Sequence, residues 1–244
     1  MTEPASATRR RFVLETPDTV VRRLPDIGKL MIIGKRNGVT HERIGPVEHV
    51  EEDGAFLVCR GKDHDSRLDP RLVSAVVIDT SSVMQDQVYP RIDFNGADGV
   101  PVFSVVGFGG LEPFEAALAG LSTEVDPVER PKAERNERAE VSTDDPGLTP
   151  LNAALASAAT IIIAFDQLGF SQRWSGVVEK VSPAMGFINV MTSDFHLHLL
   201  GGTVSRWQEE ATEDEAVLVA YSKDERPTGL TLRAKTAAAF RPAN

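Results

Sequence analysis

The 244-residue sequence has little of several features that reveal where a protein acts. It contains one cysteine, Cys59, so no disulfide can form within the chain and nothing indicates an oxidising compartment. No apolar run approaches the roughly 20 residues that a membrane-spanning helix needs. The basic residues near the N-terminus are not followed by the apolar segment of a secretory signal. We therefore expect a cytoplasmic protein without membrane insertion.

Positive charge is also scarce. Lysine and arginine number 26 against 36 acidic residues, which gives a net charge of −10. A nucleic-acid-binding protein usually needs a basic surface to displace counterions from phosphate, so nucleic acid is not an expected partner. The hydrophobic fraction of 41% and the charged fraction of 25% are typical of a globular protein that buries a core.

Catalytic signatures are missing as well. The sequence has no G-x-S-x-G motif, no P-loop and no paired carboxylates that stand out, and GFGG at 107–110 lacks the spacing of a dinucleotide-binding loop. The residues themselves therefore give no positive support for catalysis.

Residues 122–150 differ in composition from the sequence on either side. They contain four prolines and many charges, but no histidine and no aromatic residue. Such a stretch buries too little apolar surface to offset the cost of ordering it. We predict an exposed, mobile linker over 122–147, a disordered N-terminus over 1–15, and two domains over 16–121 and 148–244.

The two domains match each other in sequence. Sliding the second back by 131 positions aligns the chain without a gap from Leu30 to Ser74. Matched pairs include Gly38 with Gly169, Gly45 with Gly176, and Phe56 with Phe187. Glycines in register indicate equivalent turns, so the pattern predicts a tandem duplication.

Each repeat has the pattern of a short helix followed by short strands. Thr16-Pro17 and Thr149-Pro150 are helix-start signals, Asp98-Gly99 is typical of a hairpin turn, and LEPFEAALAGL predicts an amphipathic helix. We predict an α+β fold that is predominantly antiparallel β, with a tandemly duplicated β-barrel or β-sheet unit and short flanking helices.

The segment TSDFHLHLLGG places His196 and His198 two residues apart. In a strand both imidazoles would project from one face, and Phe195, Leu197 and Leu199 from the other. Three interpretations remain open: a solvated or groove-lining polar face, a haem ligand, or a zinc site. The zinc site is disfavoured because no further cysteine or histidine cluster completes the four ligands that structural zinc needs.

Other polar and aromatic residues have simpler interpretations. His41 is expected to be a hydrogen-bonded structural residue, and Cys59 a small buried hydrophobe. The two tryptophans, Trp174 and Trp207, either fill the core or form an aromatic wall for a flat apolar ligand such as a porphyrin.

Several segments, in order and near the expected spacing, resemble the HemS/ChuS-type haem-utilisation proteins. They are IGKLMIIGKRNGVTHERIG, DSRLDPRLVSAVVI, RIDFNGADGVPVFSVV, EPFEAAL and the long second-half stretch from TIIIAFD to VSRW. The resemblance covers roughly residues 17–121 and 148–222. It implies a HemS-like fold of two similar β-rich halves, a cytoplasmic role with haem, and, in some relatives, haem degradation.

The departures from the family concern its haem pocket. The family's axial histidine lies in the connection between the halves, which here is the histidine-free segment 122–150. The resemblance carries a haem-facing arginine over to Arg67. Near the C-terminus, Leu232 and Lys235 stand where the family has a tyrosine and an arginine. His198 is our candidate for a replacement axial ligand.

The sequence thus predicts a cytoplasmic protein of iron acquisition that binds or carries haem or a related tetrapyrrole. Arg67 and His198 are the predicted cofactor-binding residues. The alternative is a HemS-fold interaction or regulatory module that no longer binds haem.

Overall fold

The computed structural model of the chain describes residues 9–128, 138–211 and 215–241, and these form two compact units. Unit 1 comprises Met1–Ile33 and Ile44–Glu134, and unit 2 comprises Gly34–Arg43 and Arg135–Asn244. The short segment Gly34–Arg43 therefore belongs with the second half of the sequence. No helix in the described ranges is long and apolar enough to cross a membrane.

Short strands dominate the first half of the chain, and 3-10 turns lie at Leu24–Ile27 and Pro70–Leu72. The helices and strands are β1 (Arg10–Val13), α1 (Pro17–Val21), β2 (Lys29–Arg36), β3 (Val39–Pro46), β4 (His49–Asp53), β5 (Phe56–Arg60), β6 (Asp65–Leu68), β7 (Ala75–Asp79), β8 (Val83–Met84), β9 (Gln87–Val88), β10 (Arg91–Asn95), β11 (Pro101–Gly107), α2 (Leu111–Ala117) and β12 (Thr123–Val125).

The second half begins with a helix and continues in strands, ending in a 3-10 turn at Ala237–Phe240. Its elements are α3 (Leu148–Ser157), β13 (Thr160–Gln167), β14 (Phe170–Val177), β15 (Ser182–Ala184), β16 (Phe187–Met191), β17 (Phe195–Leu200), β18 (Arg206–Ala211), β19 (Ala216–Tyr221) and β20 (Pro227–Ala234).

Unit 1 contains antiparallel strands in the order β12-β1-β7-β10-β11-β2, together with the group β6-β5-β4. The predicted hairpin is confirmed: β10 pairs with β11, and Gly99 in the connection has φ +75°. Phe94 and Phe103, which are register partners across this hairpin, are buried and stack with ring centroids 4.1 Å apart. The apolar residues of these strands form the core of unit 1.

Unit 2 contains the strand orders β3-β17-β16-β15 and β18-β19-β20-β13-β14. Its core is aromatic: Phe165 and Phe195 are fully buried, and Trp174 stacks on Phe195 with centroids 4.7 Å apart. Trp174 therefore fills the core, which is one of the interpretations that the sequence left open. Trp207 is partly exposed and donates its indole N–H to the Pro146 carbonyl at 2.9 Å.

The fold class is confirmed, because the described chain is mainly antiparallel sheet with a few short helices. The strand bounds also repeat along the sequence. An offset of 131 residues carries β2 (29–36) onto β13 (160–167), and β3 (39–46) onto β14 (170–177). Gly38 and Gly169 each have positive φ, +79° and +83°, in the turns that follow β2 and β13. This repetition supports the duplication, which stays a prediction.

Two segments that the sequence predicts to be disordered or mobile form strands in the structure. Arg10–Val13, inside the predicted disordered N-terminus, form β1, which pairs with β7. Thr123–Val125, inside the predicted linker, form β12 on the other edge of β1. The Asp126 carboxylate accepts a 2.8 Å hydrogen bond from Arg10, so an ion pair joins the two segments to each other. Residues 1–8, and 129–137 of the linker, lie outside the described residues.

Candidate functional site

The candidate site lies on one face of β17. Phe195, Leu197 and Leu199 are buried, whereas His196 and His198 are partly exposed, so the side chains alternate along the strand as the sequence predicts. The two imidazoles therefore project from the same face, and their ring centroids are 5.8 Å apart.

Strand β3 brings an acidic side chain to this pair. It runs antiparallel to β17, with Glu42 directly opposite His196 and Thr40 opposite His198. Glu42 Oε2 lies 3.2 Å from His196 Nδ1 and 3.6 Å from His198 Nε2. The Glu42 side chain is only 13% exposed, so its charge depends on these two imidazoles for compensation.

Strand β16, on the other side of β17, fixes the orientation of His198. Asn189 is the register partner of His198, and its Oδ1 lies 2.6 Å from His198 Nδ1. The Asn189 amide nitrogen donates to the carbonyls of Ser182 at 2.9 Å and Phe187 at 3.1 Å. This identifies Oδ1 as the acceptor, so His198 Nδ1 carries a proton and donates it. In neutral His198, the lone pair is then on Nε2 and faces Glu42.

The carboxylate is held in its charged form. Burial raises the pKa of Glu42, but the two imidazoles beside it more than offset this effect, through hydrogen bonding and through the positive charge they carry when protonated, and lower the pKa to about 2. A negative charge at this position persists throughout the physiological pH range. The negative charge therefore favours a cation beside it.

Glu42, His196 and His198 together offer three ligand atoms that lie within 4.8 Å of one another. The sequence argument against a zinc site counted only cysteine and histidine as further ligands, whereas the third candidate ligand here is a carboxylate. The site's third member comes from a strand in the first half of the sequence. THERIG does indicate a strand with Glu42 and His41 on opposite faces, but nothing in the sequence gives the register of β3 on β17.

Arg67, the other predicted cofactor-binding residue, lies on β6 in unit 1. Its guanidinium lies 3.3 Å from the centroid of the Phe56 ring, and its Nε donates to the Asp53 carboxylate at 3.0 Å. The side chain is 41% exposed. Arg67 is thus held by neighbours within its own unit, while His198 belongs to unit 2.

His41 and Cys59 are structural residues, as predicted. His41 is fully buried and hydrogen-bonded to the Ile163 carbonyl at 3.0 Å. Cys59 is fully buried, and burial raises the pKa of its thiol to about 12. Neither side chain is presented to a ligand, and a thiol with this pKa is not a nucleophile at neutral pH.

A cavity of about 400 Å³ in unit 2 contains Lys235, one of the residues that depart from the family pattern. Arg233 and Lys235 supply cations, and Ile162, Ala234 and Ala239 supply apolar surface. Leu232, the other departing residue, is fully buried on β20. The lining contains no histidine, cysteine, methionine or tyrosine, so it offers none of the usual protein ligands of haem iron.

Comparison with known proteins places this fold in a class. No protein-family model matches the sequence, and no curated protein sequence matches it. Solved structures do match, and their fold is that of the HemS/ChuS-type haem-utilisation proteins, as the sequence resemblance implies.

The matches include structures that cover nearly the whole chain, two of which are as follows. The heme-degrading enzyme ChuS of Escherichia coli O157:H7 matches with a TM-score of 0.77 and 18% identity, over 97% of this chain and 88% of that one. The heme-binding protein PhuS of Pseudomonas aeruginosa, in its holo form, matches with a TM-score of 0.74 and 17% identity, over 96% of this chain and 84% of that one. At this level of identity the likeness establishes the fold.

Proposed function

We propose that this chain is a cytoplasmic haem-binding protein of iron acquisition. Two residues are candidates for contact with haem: His198 as an iron ligand, and Arg67 as a partner of a propionate. The observation that carries the proposal is the full-length likeness of its fold to ChuS, a heme-degrading enzyme, and PhuS, a heme-binding protein. The segment 122–150, where the family carries its axial histidine, contains none, so the ligand has to come from elsewhere.

One atom of His198, Nε2, can serve as the iron ligand. Asn189 holds the proton on Nδ1, which leaves Nε2 as the nitrogen that can coordinate iron, and the side chain is 28% exposed. Glu42 opposes the same role, because its carboxylate lies 3.6 Å from that nitrogen. Iron bound at Nε2 would occupy the space beside this carboxylate, so Glu42 would have to turn aside for haem to bind.

A specific observation favours the alternative, an interaction or regulatory module with this fold that no longer binds haem. Arg67 is stacked on Phe56 and paired with Asp53, so its charge is already partly compensated. A propionate would have to compete with Asp53 for the guanidinium. Arg67 therefore contributes less to haem affinity than a free arginine would.

Hemin titration of the wild type, His198→Ala and Arg67→Ala tests the proposal. We expect saturable binding with a defined stoichiometry, a displaced Soret band in His198→Ala, and weaker binding with an unchanged band in Arg67→Ala. A charge-assisted hydrogen bond contributes about 1.5–3 kcal/mol, so the loss at Arg67 is at most roughly ten- to a hundredfold.

Arg206→Ala is the matched control, because Arg206 also stacks on an aromatic ring, that of Tyr221, and pairs with a carboxylate, that of Glu225. It should bind hemin like the wild type. If all four proteins gave identical curves without saturation, specific haem binding would be rejected. The alternative, an interaction or regulatory module that does not bind haem, would then be favoured.

A further inference from the structure

We propose that Glu42, His196 and His198 bind a divalent first-row transition-metal ion through one carboxylate and two imidazoles, with the remaining coordination positions open to solvent. This inference goes beyond haem binding and does not depend on it. It rests on the positions of side chains from three adjacent strands, β3, β17 and β16, within unit 2.

The donor atoms have the spacing that such an ion requires. Bonds from a metal to imidazole nitrogen and carboxylate oxygen are about 2.0–2.2 Å long, which places neighbouring ligand atoms about 3–3.6 Å apart. Glu42 Oε2 is 3.2 Å from His196 Nδ1 and 3.6 Å from His198 Nε2. Each of the three residues offers one ligand atom, and these three atoms lie within 4.8 Å of one another, so a small adjustment of rotamers closes them around one ion.

The hydrogen bond from His198 to Asn189 prepares the site for a cation. With the proton fixed on Nδ1, the lone pair of neutral His198 Nε2 faces a carboxylate oxygen, and two electron-rich atoms then oppose each other. A cation between them removes this repulsion. A metal-bound histidine commonly donates its other N–H to an oxygen acceptor, and Asn189 provides that acceptor here.

The ligand types select the class of ion. Two imidazoles with one carboxylate suit Zn²⁺, Fe²⁺, Co²⁺ and Ni²⁺, whereas Ca²⁺ and Mg²⁺ prefer oxygen ligands alone. Three protein ligands leave at least one position for water, as in catalytic rather than structural zinc sites. The partial exposure of His196 (22%) and His198 (28%) gives water access to the ion.

The proposal is tested with Zn²⁺ and Co²⁺ on the full chain, stripped with a chelator and free of haem. We expect one ion per chain by calorimetry, and a visible d–d spectrum when Co²⁺ is added. Glu42→Gln and His198→Ala should abolish this saturable binding. His49→Ala is the matched control, since His49 is exposed and lies on β4 in unit 1.

Asn189→Ala tests the positioning role of the amide. Loss of a residue that orients a metal ligand typically weakens metal affinity by about 10–100-fold, so this variant should still bind Co²⁺ but at correspondingly higher concentrations. An affinity equal to that of the wild type would contradict the role assigned to Asn189.

A measurement on the wild type keeps the test independent of whether the variants fold. In ¹⁵N-imidazole NMR spectra, one equivalent of Zn²⁺ should shift the resonances of His196 and His198 and leave the other three histidines unchanged. Absence of these shifts, or equal zinc affinity in the wild type and a folded Glu42→Gln, would overturn the metal site. Because haem is absent throughout, such a failure would say nothing about haem binding.

Discussion

His41 and Gln172 form a buried hydrogen-bonded pair: Gln172 Nε2 donates to His41 Nδ1 at 2.9 Å. The two residues are separated by the 131-residue offset that aligns the two halves of the sequence, so two aligned positions contact each other. The other ring nitrogen of His41, Nε2, donates to the Ile163 carbonyl at 3.0 Å. Both nitrogens of the neutral imidazole are therefore satisfied.

The His41 pair predicts a stability that depends on pH. Burial lowers the pKa of His41 from 6.5 to about 3, with the nearby Arg43 charge acting in the same direction. Below pH 6.5 the His41 imidazole binds a proton in the unfolded chain but not in the folded chain. Stability should therefore fall between pH 6.5 and about 3, by up to about 1.4 kcal/mol per pH unit from this group.

Urea unfolding at a series of pH values measures this dependence. His41→Gln disturbs the buried hydrogen bonds of the imidazole, so it should be less stable than the wild type at pH 7 by about 1–3 kcal/mol. Because glutamine does not titrate, the variant should lose less stability than the wild type on acidification. His49→Gln, at an exposed position, should retain the wild-type pH profile. Parallel profiles for His41→Gln and the wild type would contradict the prediction.

Gly34 lies against the aromatic core of unit 2, and a methyl group there should be destabilising. A Cβ at this position would overlap the Phe170 ring and lie 2.7 Å from the Phe165 ring. We expect Gly34→Ala to lower the free energy of unfolding by about 1–3 kcal/mol, as overpacking does. Gly96→Ala is the control, because a Cβ there would meet only one side-chain oxygen of Asp98 at 3.2 Å, and it should lower the free energy of unfolding by less.

The two tryptophans should respond differently to substitution. Trp174 is 4% exposed and stacked on Phe195, so Trp174→Ala should cost about 3–5 kcal/mol and remove the blue-shifted part of the fluorescence emission. Trp207→Phe loses one hydrogen bond, to Pro146, and should cost only about 1 kcal/mol. Denaturant titrations followed by circular dichroism measure both, and equal losses would contradict this difference.

Glu42→Gln should have different effects on zinc binding and on hemin binding. The substitution removes the anionic donor, so zinc binding should be lost. It also removes the carboxylate charge 3.6 Å from His198 Nε2, which opposes iron binding at that nitrogen, so hemin affinity should stay equal to that of the wild type or rise. Parallel titrations of one protein preparation with Zn²⁺ and hemin measure both effects. A fall in hemin affinity would count against His198 as the iron ligand.

The sequence predicts those parts of this site that depend on local patterns. Alternation along FHLHLL places His196 and His198 on one face, because side chains in a strand change sides at each residue. Glu42 and Asn189 could not be predicted, since they join the site through the register of β3 and β16 on β17. Register between distant strands depends on packing of the whole sheet, which one sequence without relatives does not reveal.

Long separation along the chain has a consequence for folding. The contact between Glu42 and His196 joins residues 154 positions apart. Closing a loop of that length costs roughly 4–5 kcal/mol of chain entropy, so the complete run of pairs between β3 and β17, rather than one contact, has to stabilise it. During synthesis, the edge of β3 that later pairs with β17 is left unpaired until β17 has been made. An unpaired edge can pair with another chain, so the nascent protein is most prone to aggregate in that interval.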